Sequence, residues 1–187
     1  MMKGIDISAW QSGIDWQAMK DAGIEFVIIK IGQGGRLDEM FQDHMQNAAA
    51  FGMKIGVYVY SVARSLEEAI AEADWTATQI QTGLPEMGVW YDVEDEAIAQ
   101  SGVDITALCA AFVMRLCTYG FNLVGVYSSY NWLTNGNIQP ERLGDTPYWC
   151  AQYNHECNFE NPNLLLWQYT DSLNIAGTNF DGNMTVG

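Results

Sequence analysis

The stretch EFVIIKI at residues 25–31 decides the fold class, because it forms a nearly continuous apolar run of strand length. A strand that is apolar on both faces is typical of a parallel sheet covered by helices. The run KIGVYVYS at residues 54–61 has the same character. Between these two runs, residues 38–51 have helical periodicity, with Phe41 and Met45 on one stripe. This strand–helix–strand unit predicts parallel strands joined by a right-handed crossover.

The same alternation continues along the chain, although helical patterns nearly disappear in its last third. Six further strands are predicted at residues 3–9, 89–94, 123–128, 147–153, 164–170 and 175–186. Three further helices are predicted at residues 15–23, 65–82 and 104–119, the first capped by Asp15 and the second opened by the capping-box pair Ser65 and Glu68. Eight strands with few helices predict an α/β fold, as a flattened, irregular TIM-like barrel smaller than the usual ~250 residues. An open doubly wound sheet is the alternative.

Length and charge limit the domain count and the class of partner. The 187 residues suit a single domain spanning residues 1–187. Lys and Arg number 8 against 23 Asp and Glu, which gives a net charge of −15. Such a chain is a poor match for nucleic acid or for an anionic membrane surface. No apolar run approaches the ~18 residues of a membrane helix, and the N-terminus has no apolar core of a signal peptide.

Cysteine and histidine offer little metal or redox chemistry. The four cysteines, at positions 109, 117, 150 and 157, form no C-x-x-C pair, and only His44 and His155 add histidine ligands. We therefore expect no metal and no cofactor. A disulfide between Cys150 and Cys157 is left open by the sequence.

Four carboxylates fall at or near the carboxyl ends of predicted strands, where α/β barrels place catalytic groups. Asp6 lies in the first strand, Asp92 and Glu94 end the fourth, and Asp181 lies in the last. In a closed barrel the first and last strands are neighbours, so Asp6 and Asp181 should meet. Asp92 and Glu94 are two residues apart and should share a strand face. Two close carboxylates hold one proton at elevated pH, and that proton can serve as a general acid.

Aromatic side chains near the strand ends are candidates for stacking on sugar rings. Most of the aromatic residues are expected to pack in the core. The candidates for the cleft are Tyr58, Tyr60, Tyr127 and Trp167, with Gln168 beside the last of these.

The ordered motifs resemble those of glycoside hydrolase family 25, the N-acetylmuramidase lysozymes. The likeness covers essentially the whole chain. It is carried by GIDISAWQSGIDW, FVIIKIGQG, IGVYVYS, WYDVEDE, VGVYSSYNWL, PYWCAQY, LLLWQYT and IAGTNFDGN, in that order. It implies a flattened barrel and cleavage of the β-1,4 bond between N-acetylmuramic acid and N-acetylglucosamine in bacterial peptidoglycan.

The resemblance also implies roles for the four carboxylates. Glu94 would be the general acid, and Asp92 would assist the substrate's 2-acetamido group or the oxocarbenium-like centre. Asp6 and Asp181 would complete the acidic cleft. Ser61 stands where many relatives carry a larger aromatic residue or histidine, which is expected to alter a glycan subsite.

The partner implied is the glycan strand of peptidoglycan, and the place of action is the cell wall. A separate wall-binding module outside these residues and a phage-type release through a membrane lesion are further expectations. Two alternatives stay open: a module that binds glycan without cutting it, and a thiol hydrolase of the stem peptides. The latter would use Cys150 as nucleophile with His155 as base.

Overall fold

Nine strands form one sheet in the computed structural model, which describes residues 1–80 and 83–187. The strands are β1 (Lys3–Ile7), β2 (Phe26–Gln33), β3 (Arg36–Leu37), β4 (Lys54–Tyr60), β5 (Val89–Asp92), β6 (Val124–Ser129), β7 (Tyr148–Ala151), β8 (Leu164–Ile175) and β9 (Thr178–Thr185). The helices are α1 (Trp16–Asp21), α2 (Phe41–Ala50), α3 (Leu66–Gln79), α4 (Glu96–Gln100), α5 (Ile105–Thr118) and α6 (Tyr130–Thr134), followed by a 3-10 turn at Pro140–Arg142.

The sheet closes on itself and excludes the open doubly wound alternative. Its order is β1-β9-β8-β7-β6-β5-β4-β2, and β1 also pairs with β2, so no edge is left among these eight strands. The two-residue β3 lies antiparallel beside the end of β2. The predicted irregular barrel with few helices is therefore confirmed. A closed sheet brings the carboxyl ends of its parallel strands to one rim, which we call the mouth.

The end of the chain departs from the predicted pattern of parallel strands. Strands β8 and β9 form an antiparallel hairpin, and β9 also pairs antiparallel with β1. Ile175, expected to begin the last strand, instead ends β8. Ala176 and Gly177 alone join the two strands, with φ of 50° and 86°. A two-residue turn with positive φ at both positions produces a hairpin, whereas a parallel crossover needs a dozen or more residues.

Side-chain caps define the helix starts that the sequence predicts. Asp15, Ser65 and Asp104 each accept a hydrogen bond from a backbone N–H three residues ahead. Helix α3 ends at Gln79, while its predicted end at Thr82 lies outside the described residues. The short helices α4 and α6 were not predicted. Among the described helices, none is long and apolar enough for a membrane span.

Large side chains fill the interior of the barrel below its mouth. Phe26, Ile28, Trp90, Trp149 and Leu166 form an inner cluster, separate from the larger core between the strands and helices. Glycines on neighbouring strands make space for the rings. A Cβ added to Gly125 would collide with the Trp90 ring and lie 2.6 Å from a backbone oxygen. Because these side chains fill the lower barrel, we expect a ligand to bind at the mouth.

Candidate active site

The barrel brings the four predicted carboxylates together at its mouth. Asp6 on β1 is directly opposite Asp181 on β9 in the antiparallel register. Asp92 is the last residue of β5, and Glu94 follows in the loop. Three strands separate β5 from β9 in either direction round the barrel, so these strands face each other. Burial, followed by the charge of Asp181, raises the pKa of Glu94, so the two walls of the mouth are electrostatically coupled.

Asp6 is buried within a network of amide side chains. Its Oδ2 accepts hydrogen bonds from Gln168 Nε2 at 2.9 Å and Asn183 Nδ2 at 2.7 Å. The Oδ1 atom of Asn183 accepts one from Trp149 Nε1 at 2.8 Å, which fixes the orientation of the amide. Gln168 Oε1 likewise accepts one from the Tyr127 hydroxyl at 2.9 Å. The network holds one oxygen of Asp6 rigidly and leaves its other oxygen towards Asp181.

Asp6 and Asp181 behave as a carboxyl pair that shares a proton. Burial, followed by the charge of Asp181, raises the pKa of Asp6 to about 8. A hydrogen bond between the two side chains favours a protonated Asp6 and an ionised Asp181. The pKa of Asp181 is itself raised, first by burial and then by the charge of Asp171. The proton belongs to the coupled pair and lies mainly on the more deeply buried partner.

Asp92 and Glu94 form the second pair, on the opposite wall. Strand β5 ends two residues earlier than predicted, but the Val93 N–H still donates to the Tyr127 carbonyl at 3.0 Å, so the alternation of faces continues. Asp92 is 4% exposed, and its Oδ1 has no hydrogen-bond partner among the described residues. Burial and then the charge of Glu94 raise its pKa well above the usual value. Asp92 therefore carries a buried acceptor oxygen whose hydrogen-bonding capacity is not used within the described residues.

Glu94 differs from Asp92 in its access to solvent. It is exposed at the mouth, yet partial desolvation and the charge of Asp181 raise its pKa. Lys30 opposes this effect and lowers the pKa of both Glu94 and Asp92. The Lys30 ammonium donates to Gln33 Oε1 at 3.0 Å and lies 5.2 Å from the centre of the Tyr60 ring. An accessible acid with a raised pKa, beside buried carboxylates, can deliver a proton to a ligand.

The predicted sugar-binding residues divide into three groups. Tyr60, half-buried beside Lys30, remains a candidate for ligand contact. Tyr58 and Tyr127 pack on the Trp149 ring inside the barrel, with ring centres 6.2 and 4.3 Å away, and together with Gln168 they shape the floor of the site. Trp167 does not join them. Neighbouring residues of a strand point to opposite faces, so Trp167 lies on the face of β8 opposite to Gln168. There its Nε1–H donates a hydrogen bond to the Gln152 carbonyl.

Sequence reasoning missed several residues of the site. Asn183 and Trp149 belong to the site through a hydrogen bond between distant parts of the chain, which no local sequence pattern predicts. Tyr153, in the loop after β7, donates from its hydroxyl to Gln168 Oε1 at 3.1 Å. Lys30 did carry a signal, since it is the only charged residue within the apolar run VIIKI.

Ser61 lies away from the cleft, contrary to expectation. It is fully buried, 2.7 Å from the Tyr91 hydroxyl and 3.0 Å from Glu72 Oε2. Glu72, on α3, also accepts from the Val62 N–H at 2.9 Å. These contacts lie between the barrel and α3, so Ser61 fastens the loop after β4 to that helix. Ser61 therefore does not line the cleft, and an effect of this position on a glycan subsite stays a prediction.

The cysteines and histidines form no catalytic arrangement. Cys150 and Cys157 are free thiols, and a hydrogen bond with the Cys157 thiol, followed by burial, raises the pKa of the Cys150 thiol. His155 is exposed in the loop, while Cys150 is buried in the core outside the barrel. The arrangement does not support a thiol hydrolase. In the described part of the chain, no cluster of three His, Cys, Asp or Glu side chains is arranged to hold a metal ion.

A closed α/β barrel with an accessible acid and three further carboxylates at its mouth defines a glycoside hydrolase type of site. The sequence model of glycosyl hydrolases family 25 matches residues 5–178. The chain belongs to this family, which confirms the resemblance carried by its motifs.

Known proteins similar to this chain agree with that assignment. The autolytic lysozyme of Clostridium acetobutylicum is 30% identical over 177 residues, which is 94% of this chain and 52% of that protein. The structure of the modular autolysin LytC from Streptococcus pneumoniae superimposes with a TM-score of 0.87 at 23% identity, over 99% of this chain and 46% of that one. The structure of a bacterial lysozyme from Streptomyces coelicolor superimposes with a TM-score of 0.80 at 23% identity, over 100% of this chain and 92% of that one. The two structures support the fold. The chain spans about half the length of the first two relatives.

Proposed function

We propose that this chain is a peptidoglycan muramidase that hydrolyses the β-1,4 bond between N-acetylmuramic acid and N-acetylglucosamine. The observation that carries the proposal is Glu94, an exposed acid with a raised pKa that faces the Asp6–Asp181 pair across the mouth. Cleavage of a glycoside needs an acid that protonates the leaving oxygen and a second carboxylate near the anomeric centre. Family membership and the lysozyme relative supply the substrate class.

In this proposal Glu94 protonates the glycosidic oxygen. Asp92, with its unpartnered Oδ1, accepts a hydrogen bond from the substrate's 2-acetamido N–H or faces the oxocarbenium-like centre. Asp6 stays protonated and neutral and holds Asp181 through the hydrogen bond between them, whereas the ionised Asp181 acts through its charge and keeps the proton on Glu94 at higher pH. Lys30 limits that effect, so that the acid is strong enough to give its proton up.

The place of action and the partners follow as part of the proposal. The enzyme acts on glycan strands of the bacterial cell wall. A separate wall-binding module and a phage-type route to the wall stay predictions.

The test is digestion of purified peptidoglycan, followed by borohydride reduction and mass spectrometry of the products. Wild-type protein should generate reduced muramic acid at the new chain ends, and Glu94→Gln should lose activity by at least about a thousandfold while folding normally. Glu96→Gln is the matched control, because Glu96 is an exposed acid two residues further on, in α4. Free stem peptides would instead indicate an amidase or peptidase, and full activity of Glu94→Gln would remove Glu94 from its role.

Binding without cutting is the second candidate. The amide network that pre-orients Asp6 would suit a binding module equally well. Tight binding of intact glycan by the wild type, with no new reducing ends, would favour that function.

A further inference from the structure

Trp10 is an exposed aromatic side chain at the rim of the mouth. It is 90% exposed, more than any other aromatic residue in the described part of the chain. It lies three residues beyond the end of β1, the strand that carries Asp6. The loop therefore emerges from the carboxyl end of the barrel, beside the carboxylates. Single exposed apolar residues are common on protein surfaces, so exposure alone would carry little weight.

The loop that presents Trp10 is fixed by hydrogen bonds rather than free to bend. The Trp10 N–H donates to Ser8 Oγ at 3.3 Å, and the Gln11 N–H donates to the Ser8 carbonyl at 3.0 Å. In return, Gln11 Oε1 accepts from the Ser8 N–H at 3.0 Å. Ser8 is itself buried, 6% exposed, so the turn has a rigid base.

Two further side chains tie the loop to neighbouring elements. Asp38, after β3, accepts from the Ala9 N–H at 3.1 Å. His44, on α2, bonds the Gln11 carbonyl through Nε2 at 3.1 Å and packs edge-on against the Trp16 ring, 6.3 Å between centres. The backbone on both sides of Trp10 is thus anchored while its ring contacts solvent. A loop held in this way loses little backbone conformational entropy when Trp10 binds a ligand.

We propose that Trp10 forms a sugar-binding subsite at the rim, stacking its indole face on a pyranose ring of the glycan strand outside the bond that is cut. The inference rests on the proposed function for the class of ligand. A pyranose offers a flat face of C–H groups, which packs on an indole, and the free Nε1–H can donate to a sugar hydroxyl. The rings of Tyr58, Tyr127 and Trp167 are packed or buried, and Tyr153 is 57% exposed with its hydroxyl bonded to Gln168, so Trp10 is the most exposed aromatic ring among the described residues near the carboxylates.

The test compares Trp10→Ala and Trp10→Phe with wild type on soluble peptidoglycan glycan fragments. Loss of the stacking ring should raise KM about tenfold for Trp10→Ala and change kcat less than about twofold, because the contact lies away from the reacting atoms. Trp10→Phe keeps a ring and should stay within about threefold of the wild-type KM. Met114→Ala is the control for removing an exposed apolar side chain, 69% exposed on the outer helix α5, and should leave KM unchanged.

A binding measurement separates failure of this inference from failure of the proposed function. In the Glu94→Gln background, uncut glycan fragments should protect tryptophan fluorescence from acrylamide quenching, and the protection should disappear in Trp10→Phe. If wild type cuts peptidoglycan but Trp10→Ala has an unchanged KM, and the Glu94→Gln protein is protected equally with and without Trp10→Phe, the subsite is refuted and the function stands. If the protein neither binds nor cuts glycan, both are refuted.

Discussion

Replacing Asp6 by Asn tests whether the buried pair at the mouth carries a shared proton. A protonated Asp6 has one oxygen that accepts from Gln168 and Asn183 and another that donates to Asp181. Asparagine has the same shape, with a carbonyl oxygen for the two amide donors and an N–H for Asp181. Asp6→Asn should therefore preserve every hydrogen bond of the network and remove only the ability to ionise.

The sign of the stability effect follows from the pKa of Asp6. Its pKa is 3.8 in the ordinary case and about 8 in the folded protein. Between these values the unfolded chain has lost the proton and the folded one keeps it, so the free energy of unfolding falls by about 1.4 kcal/mol per pH unit. The contribution of Asp6 to the free energy of unfolding is most favourable below pH 3.8, and it is lost progressively as the pH rises towards 8. At pH 7 the accumulated cost is about 4 kcal/mol, which Asp6→Asn avoids.

The assay is urea unfolding of wild type and Asp6→Asn at pH 5, 6 and 7. The difference in the free energy of unfolding should increase with pH in favour of the variant, with unchanged m-values. Asp145→Asn, at an exposed carboxylate, is the matched control and should follow the wild type. A variant that is less stable than wild type at pH 7, or a difference that does not depend on pH, would refute the shared proton.

Two further predictions concern the charge at the mouth and the packing below it. Lys30→Met removes the cation that lowers the pKa of Glu94, so the alkaline limb of the kcat–pH profile should move to higher pH. Gly125→Ala forces a Cβ into the Trp90 ring inside the barrel and should lower the free energy of unfolding by about 3 kcal/mol, or Tm by about 10 °C in a calorimetric scan.

Each of these predictions has a control elsewhere in the chain. Lys54→Met removes an exposed cation from the first residue of β4, at the opposite end of the barrel, and should leave the pH profile in place. Gly187→Ala adds a Cβ that meets nothing within 4 Å and should leave Tm unchanged. An alkaline limb that does not shift in Lys30→Met, or that moves to lower pH, would contradict the effect of Lys30 on the pKa of Glu94. A Gly125→Ala protein as stable as wild type would contradict the close contact between residue 125 and the Trp90 ring.

Much of the fold could be predicted because the signals involved are local. A strand buried on both faces must be apolar throughout, and an amphipathic helix must repeat every 3.6 residues, so EFVIIKI and its neighbours identified the alternating elements. The direction of β9 was missed because the two-residue turn at Ala176 and Gly177 has no strong sequence signature. Alanine rarely adopts positive φ, and here the pairing of the two strands imposes it.

The sequence by itself predicted the four carboxylates of the candidate site: Asp6, Asp92, Glu94 and Asp181 follow from their positions near strand ends and from motifs of the family, and their catalytic roles stay predictions. Only the tertiary structure decided how their protons are shared. The hydrogen bond from Asn183 to Asp6 joins residues 177 positions apart, and the field of Asp181 on Glu94 crosses the barrel. The tertiary structure also decided that Trp167 faces outward and Trp10 is open to solvent. Local periodicity predicts which elements form, whereas burial and electrostatic coupling depend on distances that exist only after the barrel closes.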